Sequence, residues 1–508
     1  MRSVEYGSRV RPLGSGLGFA IALAATGCGG GLDDPRAAEI ASTLARADAS
    51  LIRTRPALVA GKYARMAGDP YAFYRGTVPL FRHDWEMNAE GVSASAFAVE
   101  AAQGPLPEGL STLLVGDAHP ENFGALRARD GSFGLEPNDF DGADFGPYLW
   151  DLRRLTAGVS VAARLSNTDD PEAAAAAQAA SRSIARAAAD SYAAAIHALA
   201  GGAPRARITD GGGEVVIDDV FSRSEEDTAA QADFEGTDLV GGKRTLKRGA
   251  LDPEAPYQAL GDLPPQAYAA LPDAIEAYRQ TLIAPPPKEF FTLLDAARSY
   301  GSGVASWPKV RVILLVRGPT DDPGDDVLLE LKELGDAGLA KAYPPGVFFA
   351  DNPARVRAVS RAVWAIPDAD PLWGTTQWLG LDCQIKTESE GQKTVRVKRL
   401  SGKRGTPEAI TGLARVLGTL LARVHAASLD QSAPAAVIDA AIGSNASAFA
   451  DEQADVGDAY AARVLADHQR FVTVLDELGP RLGIPFDPAD TPSPDLAALY
   501  GTPPLASP

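Results

Sequence analysis

The ten residues from 115 to 124, Val-Gly-Asp-Ala-His-Pro-Glu-Asn-Phe-Gly, constrain the fold of this chain more than any other stretch. An apolar run at residues 113–115 leads into Gly116, so Asp117 is predicted to stand where a buried strand opens into a loop. His119 and Asn122 follow in the same loop. The pattern predicts a strand end that presents a carboxylate, an imidazole and an amide.

A second group of acids follows the next predicted strand, around residues 133–135. Asp139 and Asp141 come at the end of that strand. Hard divalent cations such as Mg²⁺ prefer carboxylate and amide oxygens as ligands. We therefore interpret Asn122, Asp139 and Asp141 as candidate metal ligands. Asp, Asn and Gly are also ordinary turn formers, so a pair of structural turns is the alternative interpretation.

The spacing from Asp117 to Asn122 indicates a reaction. An Asp followed five positions later by a metal-binding Asn is a phosphotransferase arrangement, in which the Asp accepts the proton of the attacking hydroxyl. Asp117 is thus the candidate base, and His119 is expected to orient its loop. A metal-dependent phosphoesterase built on Asp117, His119 and Asp139 is an alternative. Such two-metal sites usually need more histidines than the five in this chain.

These motifs resemble the catalytic loop of the aminoglycoside and choline kinase group, where Gly-Asp-x-His-x-x-Asn precedes an Ile-Asp-[Phe/Trp] metal motif. In that group an Asp-Leu/Ile-Ala follows the metal Asp, at a spacing that Asp151 reproduces relative to Asp139. The resemblance implies that Asp139 is the matching metal ligand and Asp141 a second one. Asp151 falls in the first turn of a predicted helix, where the helix dipole favours an acid, so we expect a structural role for it.

Over roughly residues 60–460 the chain also resembles the bacterial domain of unknown function 2252 family, a kinase-like group without an assigned substrate. The matching stretches are residues 71–76, 116–124, 138–155, 331–333 and 422–426. The first contains Arg75, whose planar guanidinium suits a phosphate or a catalytic carboxylate. The alternative is that Arg75 clamps a structural acid such as Asp151.

A second set of motifs begins at residue 298. Arg-Ser-Tyr-Gly-Ser-Gly-Val-Ala-Ser precedes an alternating apolar run, and a strand that carries Lys332 follows. Kinases cover nucleotide phosphates with a glycine-containing turn and neutralise them with a Lys on a nearby strand. We predict that Ser302, Gly303 and Lys332 bind the phosphates of ATP or another nucleoside triphosphate, with Mg²⁺. A lone Lys on a strand is more often merely solvated, which is the alternative.

The order of these motifs is reversed relative to ordinary kinases, in which the glycine loop and Lys come first. Circular permutation is the simplest account, because it is tolerated where chain termini lie close together at the surface. The predicted fold is therefore α+β and helix-rich: a two-lobe, protein-kinase-like fold, circularly permuted. The helix after the Lys strand should carry a Glu partner for Lys332. It offers Arg355, Arg357 and Arg361 instead, so Glu330 or Glu333 is the expected substitute.

The N-terminus has the pattern of a secretory signal. Arg2, Arg9 and Arg11 precede a small, apolar stretch that closes at Cys28. Because it ends at Cys, it resembles a bacterial lipoprotein signal, with Cys28 acylated. We expect an exported protein, lipid-anchored on the periplasmic or outer-surface side of the cell envelope. A membrane helix is the alternative, but the stretch is short and Gly-rich for a span.

Composition limits the partners. The formal net charge of −18 becomes more negative once residues 1–27, with three Arg and one Glu, are removed. Such a chain is unsuited to bind nucleic acid, so we expect a small or unidentified phosphate acceptor and a monomer. ATP is scarce outside the cytoplasm, which makes a catalytically degenerate binding or scaffold module the alternative to an active enzyme. Cys383 lies among apolar residues and is expected in the core.

The remaining expectations concern organisation. Strands are predicted at residues 377–385 and 395–400, and His425 is expected to be a buried structural residue. The predicted segments are a signal peptide (1–27), a tether (28–36), the catalytic-loop half (37–200), an insertion or connector (201–290), a nucleotide-covering strand lobe (291–400), C-terminal helices (401–484) and a loosely ordered Pro-rich tail (485–508).

Overall fold

The computed structural model describes residues 32–99, 112–229, 236–249, 259–337, 349–388, 391–429, 432–487, 492 and 494–501. The predicted signal peptide, Cys28 and the first part of the tether lie outside the described residues. Within them the chain is a helix-rich α+β protein, as the sequence predicts. No helix of this part of the chain is long and apolar enough to cross a membrane.

Helices form the N-terminal part. They are α1 (Pro35–Ala47), α2 (Ala49–Thr54), α3 (Pro56–Gly68), α4 (Pro70–Gly76) and α5 (Val78–Glu86). Pro at the first helical turn of α1, α3, α4 and α5 is favourable, because an N–H there has no intrahelical partner. The side chain of Asp69 caps α4 by accepting the N–H of Tyr71 at 2.8 Å.

Two short antiparallel pairs of strands follow and hold the two motif loops. The strands are β1 (Thr112–Leu114), β2 (Phe123–Arg127), β3 (Phe133–Pro137) and β4 (Asp144–Gly146). β1 pairs with β4, and β2 pairs with β3. The buried helix α6 (Tyr148–Arg164) comes next, and α7 (Pro171–Ala179) and α8 (Ser181–Ala200) complete this half.

Residues 201–290, predicted as an insertion or connector, contribute to two apolar cores: one in the helical part of the molecule and one against the six-stranded sheet. The elements are α9 (Val215–Ala229), β5 (Thr237–Val240), β6 (Lys243–Leu246), β7 (Ala259–Gly261), α10 (Pro265–Ala269) and α11 (Leu271–Arg279). Val216, Ile217 and Val220 of α9 are buried in the helical core. Ala274, Ile275 and Tyr278 of α11 are buried against the second sheet.

The six-stranded sheet, which we call the second sheet, is antiparallel and has the strand order β11-β12-β10-β9-β8-β7. Its strands after β7 are β8 (Leu293–Tyr300), β9 (Arg311–Val316), β10 (Val327–Glu333), β11 (Gly374–Trp378) and β12 (Leu381–Thr387). Helix α12 (Asn352–Val363) lies between β10 and β11 in the chain. Alternation places Leu329 and Leu331 of β10 in the core of this sheet, while Glu330 and Lys332 occupy its other face.

The C-terminal helices are α13 (Pro407–His425), α14 (Pro434–Ile442), α15 (Ala446–Leu478) and α16 (Pro494–Leu499). Thr406 caps α13 by accepting the N–H of Ala409 at 3.2 Å, and Pro407 fills the first helical position, as the sequence predicts. Helix α8 packs on α6, α13 and α15, and both α13 and α15 pack on α6, so these helices bury one large apolar core.

Three local predictions are wrong. Residues 377–385 are not one strand but parts of the hairpin β11–β12, because Leu379 and Gly380 adopt positive φ and turn the chain. Residues 395–400 form no strand of the second sheet; Thr394 makes an isolated bridge to Gly124, and a 3₁₀ turn spans Val397–Arg399. In the tail predicted as loosely ordered, residues 494–499 form α16, whose Leu499 is buried, while residues 488–491, 493 and 502–508 lie outside the described residues.

Candidate functional site

Backbone contact joins the two motif loops, which we call the Asp117 loop (residues 115–122) and the acid loop (residues 138–143). Gly116 has φ +85°, and a Cβ built on it would lie 1.8 Å from the carbonyl oxygen of Gly142. Glycine is therefore required for both the backbone conformation and the space. Two further contacts hold the loops together. β1 pairs with β4, and the N–H of Asn138 donates to the carbonyl of Asn122 at 3.1 Å.

Asp151 holds the start of the Asp117 loop from below. Its carboxylate accepts the N–H groups of Val115 at 2.6 Å and Gly116 at 3.0 Å, and its side chain is fully buried. His425 Nε2 lies 3.5 Å from the same carboxylate, while His425 Nδ1 bonds the hydroxyl of Tyr192 at 2.8 Å. The structural roles predicted for Asp151 and His425 agree with this buried network.

Asp117 faces the cavity with 17% of its side chain exposed and is held by a buried arginine. Arg154 of α6 donates Nε–H to Asp117 Oδ1 at 2.8 Å, and its guanidinium lies 3.8 Å from the centre of the Tyr74 ring. Burial raises the pKa of Asp117, and the charge of Arg154 works against that rise. Arg154 is not one of the predicted site residues; its position three residues after Asp151 in α6 was the available signal.

His119 and Asn122 shape the Asp117 loop rather than bonding the Asp117 carboxylate. His119 Nδ1 accepts the N–H of Glu121 at 3.1 Å, so in the neutral ring the proton is on Nε2, which lies 3.6 Å from Asp117 Oδ2. Burial, together with the nearby guanidinium groups, holds the pKa of His119 well below its usual range. Asn122 donates its amide N–H to the carbonyl of Asp117 at 2.9 Å. These contacts fit the predicted orienting role of His119.

Lys332 lies between the two acids of the acid loop. Its Nζ is 3.1 Å from Asp139 Oδ1 and 3.0 Å from Asp141 Oδ2. Lys309 also contacts Asp141 Oδ2, at 2.9 Å. Burial alone would raise the pKa of Asp141, but the two ammonium groups hold it below its usual range. Burial would likewise lower the pKa of Lys332, and the two carboxylates outweigh that effect and raise it.

Neither expected glutamate is an ion-pair partner of Lys332. Glu333 points to the other face of β10 and pairs with Arg55 at 2.6 Å. Glu330 shares the face of Lys332 but pairs with Arg311 of β9 and with Lys386, at 3.7 Å, on β12. The expectation that Glu330 or Glu333 pairs with Lys332 is therefore wrong. Cations of the neighbouring strands pair with Glu330, and Arg55, between α2 and α3, pairs with Glu333.

Helix α12 contacts the acid loop through Arg355. Its guanidinium donates to the carbonyl of Ala143, to that of Asp141 at 3.1 Å and to that of Gly335 at 2.9 Å. Arg355 is buried, so these charge-assisted bonds tie the helix, the acid loop and the end of β10 into one unit. The helix thus reaches the site through backbone carbonyls rather than through Lys332.

The Gly-Ser loop (residues 301–309) joins β8 to β9 and covers one side of the cavity. Gly303 has φ +78°, and a Cβ there would lie 2.3 Å from Ser306 Oγ. Val304 is buried in the core of the helical part, and Trp307 packs on Gly61 of α3. The loop is therefore anchored on the helices at its middle while it connects two strands of the second sheet.

Arg75 pairs with Glu121 rather than with Asp151. The distance from Arg75 Nη1 to Glu121 Oε2 is 2.6 Å, and Arg396 Nη1 lies 3.6 Å from the same oxygen. The other oxygen of Glu121 accepts the N–H of Val397 at 2.8 Å. The proposed structural clamp between Arg75 and Asp151 is wrong, because Asp151 is buried against the backbone of Val115 and Gly116 and beside His425.

One cavity of about 1010 Å³ brings together all the predicted site residues within the described part of the chain. Its lining includes Arg75, Asp117, His119, Asn122, Asp139, Asp141, Ser302, Gly303 and Lys332. The cavity is also lined by three residues outside the predicted set: Glu121, Lys309 and Arg311. Their common signal was position alone: Glu121 lies inside the strongest motif, and the other two flank the start of an apolar strand.

The side chains of the acid loop suit Mg²⁺. In the described ranges no three His, Cys, Asp or Glu side chains are grouped to hold a metal by themselves. Mg²⁺ usually takes one or two protein carboxylates and completes its shell with waters and substrate phosphates. Asp139, one-third exposed, and Asp141, whose Oδ1 is buried with no hydrogen-bond partner among the described residues, provide that kind of donor set with Asn122.

Comparison with known proteins gives a family. The family model described as an uncharacterized protein conserved in bacteria (DUF2252) matches residues 53–474, which is most of the chain. No curated protein and no solved structure matches the chain.

Proposed function

Because the chain belongs to the bacterial domain of unknown function 2252 family, we propose a function from the site itself: a Mg²⁺-nucleotide-dependent phosphotransferase that acts on a hydroxyl acceptor. One observation carries the proposal. Lys332, on the central strand β10, meets Asp139 and Asp141 in the same cavity that presents Asp117. A phosphate-binding Lys, metal-binding acids and an Asp base are the parts that phosphoryl transfer requires.

Asp117 is the base in this proposal. Its carboxylate accepts the proton of the acceptor hydroxyl, Arg154 fixes its position, and His119 shapes the loop that carries it. Lys332 and the Gly-Ser loop, with Ser302 and Gly303, bind and cover the phosphates of ATP or another nucleoside triphosphate. Asn122, Asp139 and Asp141 would hold Mg²⁺, which supplies neutralisation of the phosphate charge.

The arrangement of the second sheet supports a kinase-like fold for this region. A glycine-containing loop joins β8 to β9, the next strand β10 carries the lysine, and helix α12 follows. Kinases have the same succession of glycine-rich loop, strand with Lys and αC helix. Since this unit follows the Asp117 loop in the chain, we propose a circularly permuted kinase-like fold.

A degenerate binding module is the second candidate, and one observation favours it. Helix α12 presents Arg355 and not a Glu at the site, and Lys332 pairs with the acid loop instead. Active protein kinases need the Lys–Glu ion pair. The degenerate module would bind the nucleotide without turning it over. The phosphoesterase alternative gains no support, because His119 is the one histidine in contact with Asp117 among the described residues.

Nucleotide turnover separates these candidates. The protein without residues 1–28 is incubated with Mg²⁺–ATP and a panel of hydroxyl compounds, and ADP release is measured. An active phosphotransferase releases ADP in the presence of its acceptor, and Asp139→Asn lowers that rate to background. Binding of Mg²⁺–ATP with no release for any acceptor would leave the degenerate module. The matched control is Asp321→Asn, which changes an acid whose side chain is 92% exposed.

We also propose that the chain is exported and anchored to the cell envelope through a lipid on Cys28, as the N-terminal pattern implies. Membrane attachment would then depend on that thiol alone. Metabolic labelling with a radioactive fatty acid tests this. Label is expected in the wild-type protein and absent from Cys28→Ser, whereas label retained in Cys28→Ser would contradict the anchor.

A further inference from the structure

Glu121 lies between two guanidinium groups beside the proposed base. Arg75 donates to Glu121 Oε2 at 2.6 Å, and Arg396 approaches the same oxygen at 3.6 Å without a hydrogen bond. The N–H of Val397 already occupies Oε1 at 2.8 Å. One carboxylate therefore faces two guanidinium groups, so the formal charge of these three side chains sums to +1.

The two guanidinium groups also retain unused donors. A guanidinium has five N–H donors, and Arg75 uses Nη1 on Glu121, while its Nε is buried without a partner in the described residues. The side chain of Arg396 is 47% exposed and lines the cavity. Planar, charged donors of this kind match the oxygens of a phosphate or a carboxylate.

The nearest charged neighbour does not cancel this excess, because Arg154 and Asp117 pair with each other. Helix α5 adds Arg82 and His83 to the cavity wall, with Glu86 as the acid facing them. The chain as a whole is strongly acidic, so a locally basic wall is a departure from its average surface.

We propose that Arg75 and Arg396 form an oxyanion-binding subsite and that the phosphate acceptor is an anionic hydroxyl compound, such as a sugar acid or a phosphorylated sugar. This inference rests on the proposed phosphotransferase function. It excludes cationic acceptors, because an amine would meet two guanidinium groups next to the reacting hydroxyl.

The nucleotide is a second source of oxyanions, but the proposed phosphotransferase binds its phosphates at a different group of side chains. That group is Lys332, Lys309 and the Gly-Ser loop, which lie with the acid loop. Arg75 of α4 and Arg396, in the segment before Val397, lie beside Glu121 of the Asp117 loop. The subsite is therefore assigned to the acceptor.

Binding of matched small molecules tests the subsite. Calorimetry measures the affinities of the protein lacking residues 1–28 for inorganic phosphate, glucose 6-phosphate, glucuronate, glucose and glucosamine. The anions are expected to bind, and glucose and glucosamine are not. Arg396→Gln should weaken anion binding by roughly tenfold or more. Lys398→Gln is the matched control, because Lys398 is an exposed cation two residues away that does not line the cavity.

Three results would overturn the inference: no anion binding by the wild-type protein, equal anion binding by Arg396→Gln, or binding of glucosamine in preference to glucuronate. The affinity for Mg²⁺–ATP is measured with the same proteins. Unchanged affinity in Arg396→Gln supports the acceptor assignment, whereas a loss as large as that of Lys332→Ala would assign the subsite to the nucleotide. Absence of Mg²⁺–ATP binding in the wild type would defeat the phosphotransferase and the acceptor with it, while retained anion binding would still identify the subsite.

Discussion

Lys332 and Asp139 are 193 residues apart in the chain and meet at 3.1 Å, between Nζ and Oδ1. One comes from the middle of the six-stranded sheet and the other from the loop after a short strand pair. The ion pair joins the two parts of the molecule at the place where the proposed nucleotide phosphates would bind. The proposed nucleotide site depends on that contact.

The glycine at the start of the Asp117 loop is expected to be indispensable. Gly116→Ala would place a methyl group 1.8 Å from the Gly142 carbonyl oxygen at φ +85°. The two loops would have to separate, and we expect a loss of at least about 3 kcal/mol of unfolding free energy in urea denaturation. Gly202→Ala is the control, because Gly202 has φ +91° but nothing within 4 Å. Equal losses in the two variants would contradict the close approach.

Asp117→Asn should separate binding from catalysis. The amide keeps the shape of the side chain but cannot accept the hydroxyl proton as a base. Turnover should fall by about 10²–10⁴-fold, the range for loss of a general base, while the affinity for Mg²⁺–ATP stays within about twofold. Rate and equilibrium binding measured on one preparation check this. Turnover at the wild-type rate would remove Asp117 from the mechanism.

The pH dependence of turnover should report the pairing of Asp117 with Arg154. Burial raises the pKa of Asp117, and Arg154 opposes that rise. A base acts only when deprotonated, so activity is present above this pKa and is lost as the pH falls through it. Arg154→Gln removes the opposing charge, and the acidic limb of the profile should move to higher pH. Arg154→Lys keeps the charge and should move it less; coincident profiles for all three proteins would contradict the pairing.

Arg355 is expected to position the acid loop. It donates to the carbonyls of Ala143, Asp141 and Gly335, and charge-assisted bonds to buried groups contribute about 1.5–3 kcal/mol each. Arg355→Gln should weaken Mg²⁺–ATP affinity as well as stability, and the affinity loss should shrink at saturating Mg²⁺. Arg357→Gln, on the same helix but bonded to Thr375 of β11, should leave the affinity unchanged. An equal affinity in both variants would leave Arg355 a purely structural role.

Local patterns carried much of the site in the sequence. Two predicted strands, one ending at Gly116 and one ending before residues 138–141, are each followed by acids. The structure places the acids of both strand ends at one cavity. The N-cap at Thr406 and the apolar stripe after it predicted α13. These features depend on neighbouring residues, so they can be read from sequence spacing.

Long-range pairings could not be read in the same way. The partner of Asp117 is Arg154 and the partners of Lys332 are acids of a distant loop, because burial and topology decide which charges meet. The hairpin at Leu379 and Gly380 was missed because its turn places a Leu at positive φ, a conformation that Leu rarely adopts. Burial of Leu499 depends on the sheet surface that receives it, which no local pattern in the tail encodes.

The unfolding midpoint of the protein lacking residues 1–28, measured with and without Mg²⁺–nucleotide, tests the central claim most directly. A ligand that binds only the folded state stabilises it by about 2.7 kcal/mol at a hundredfold excess over its dissociation constant, so the midpoint must rise. We predict a magnesium-dependent rise that is lost in Lys332→Ala and in Asp139→Asn. The rise should be kept in Lys403→Ala and Asp321→Asn, which change exposed charges. A well-folded wild-type protein whose midpoint no nucleotide raises, with or without Mg²⁺, would contradict the phosphotransferase.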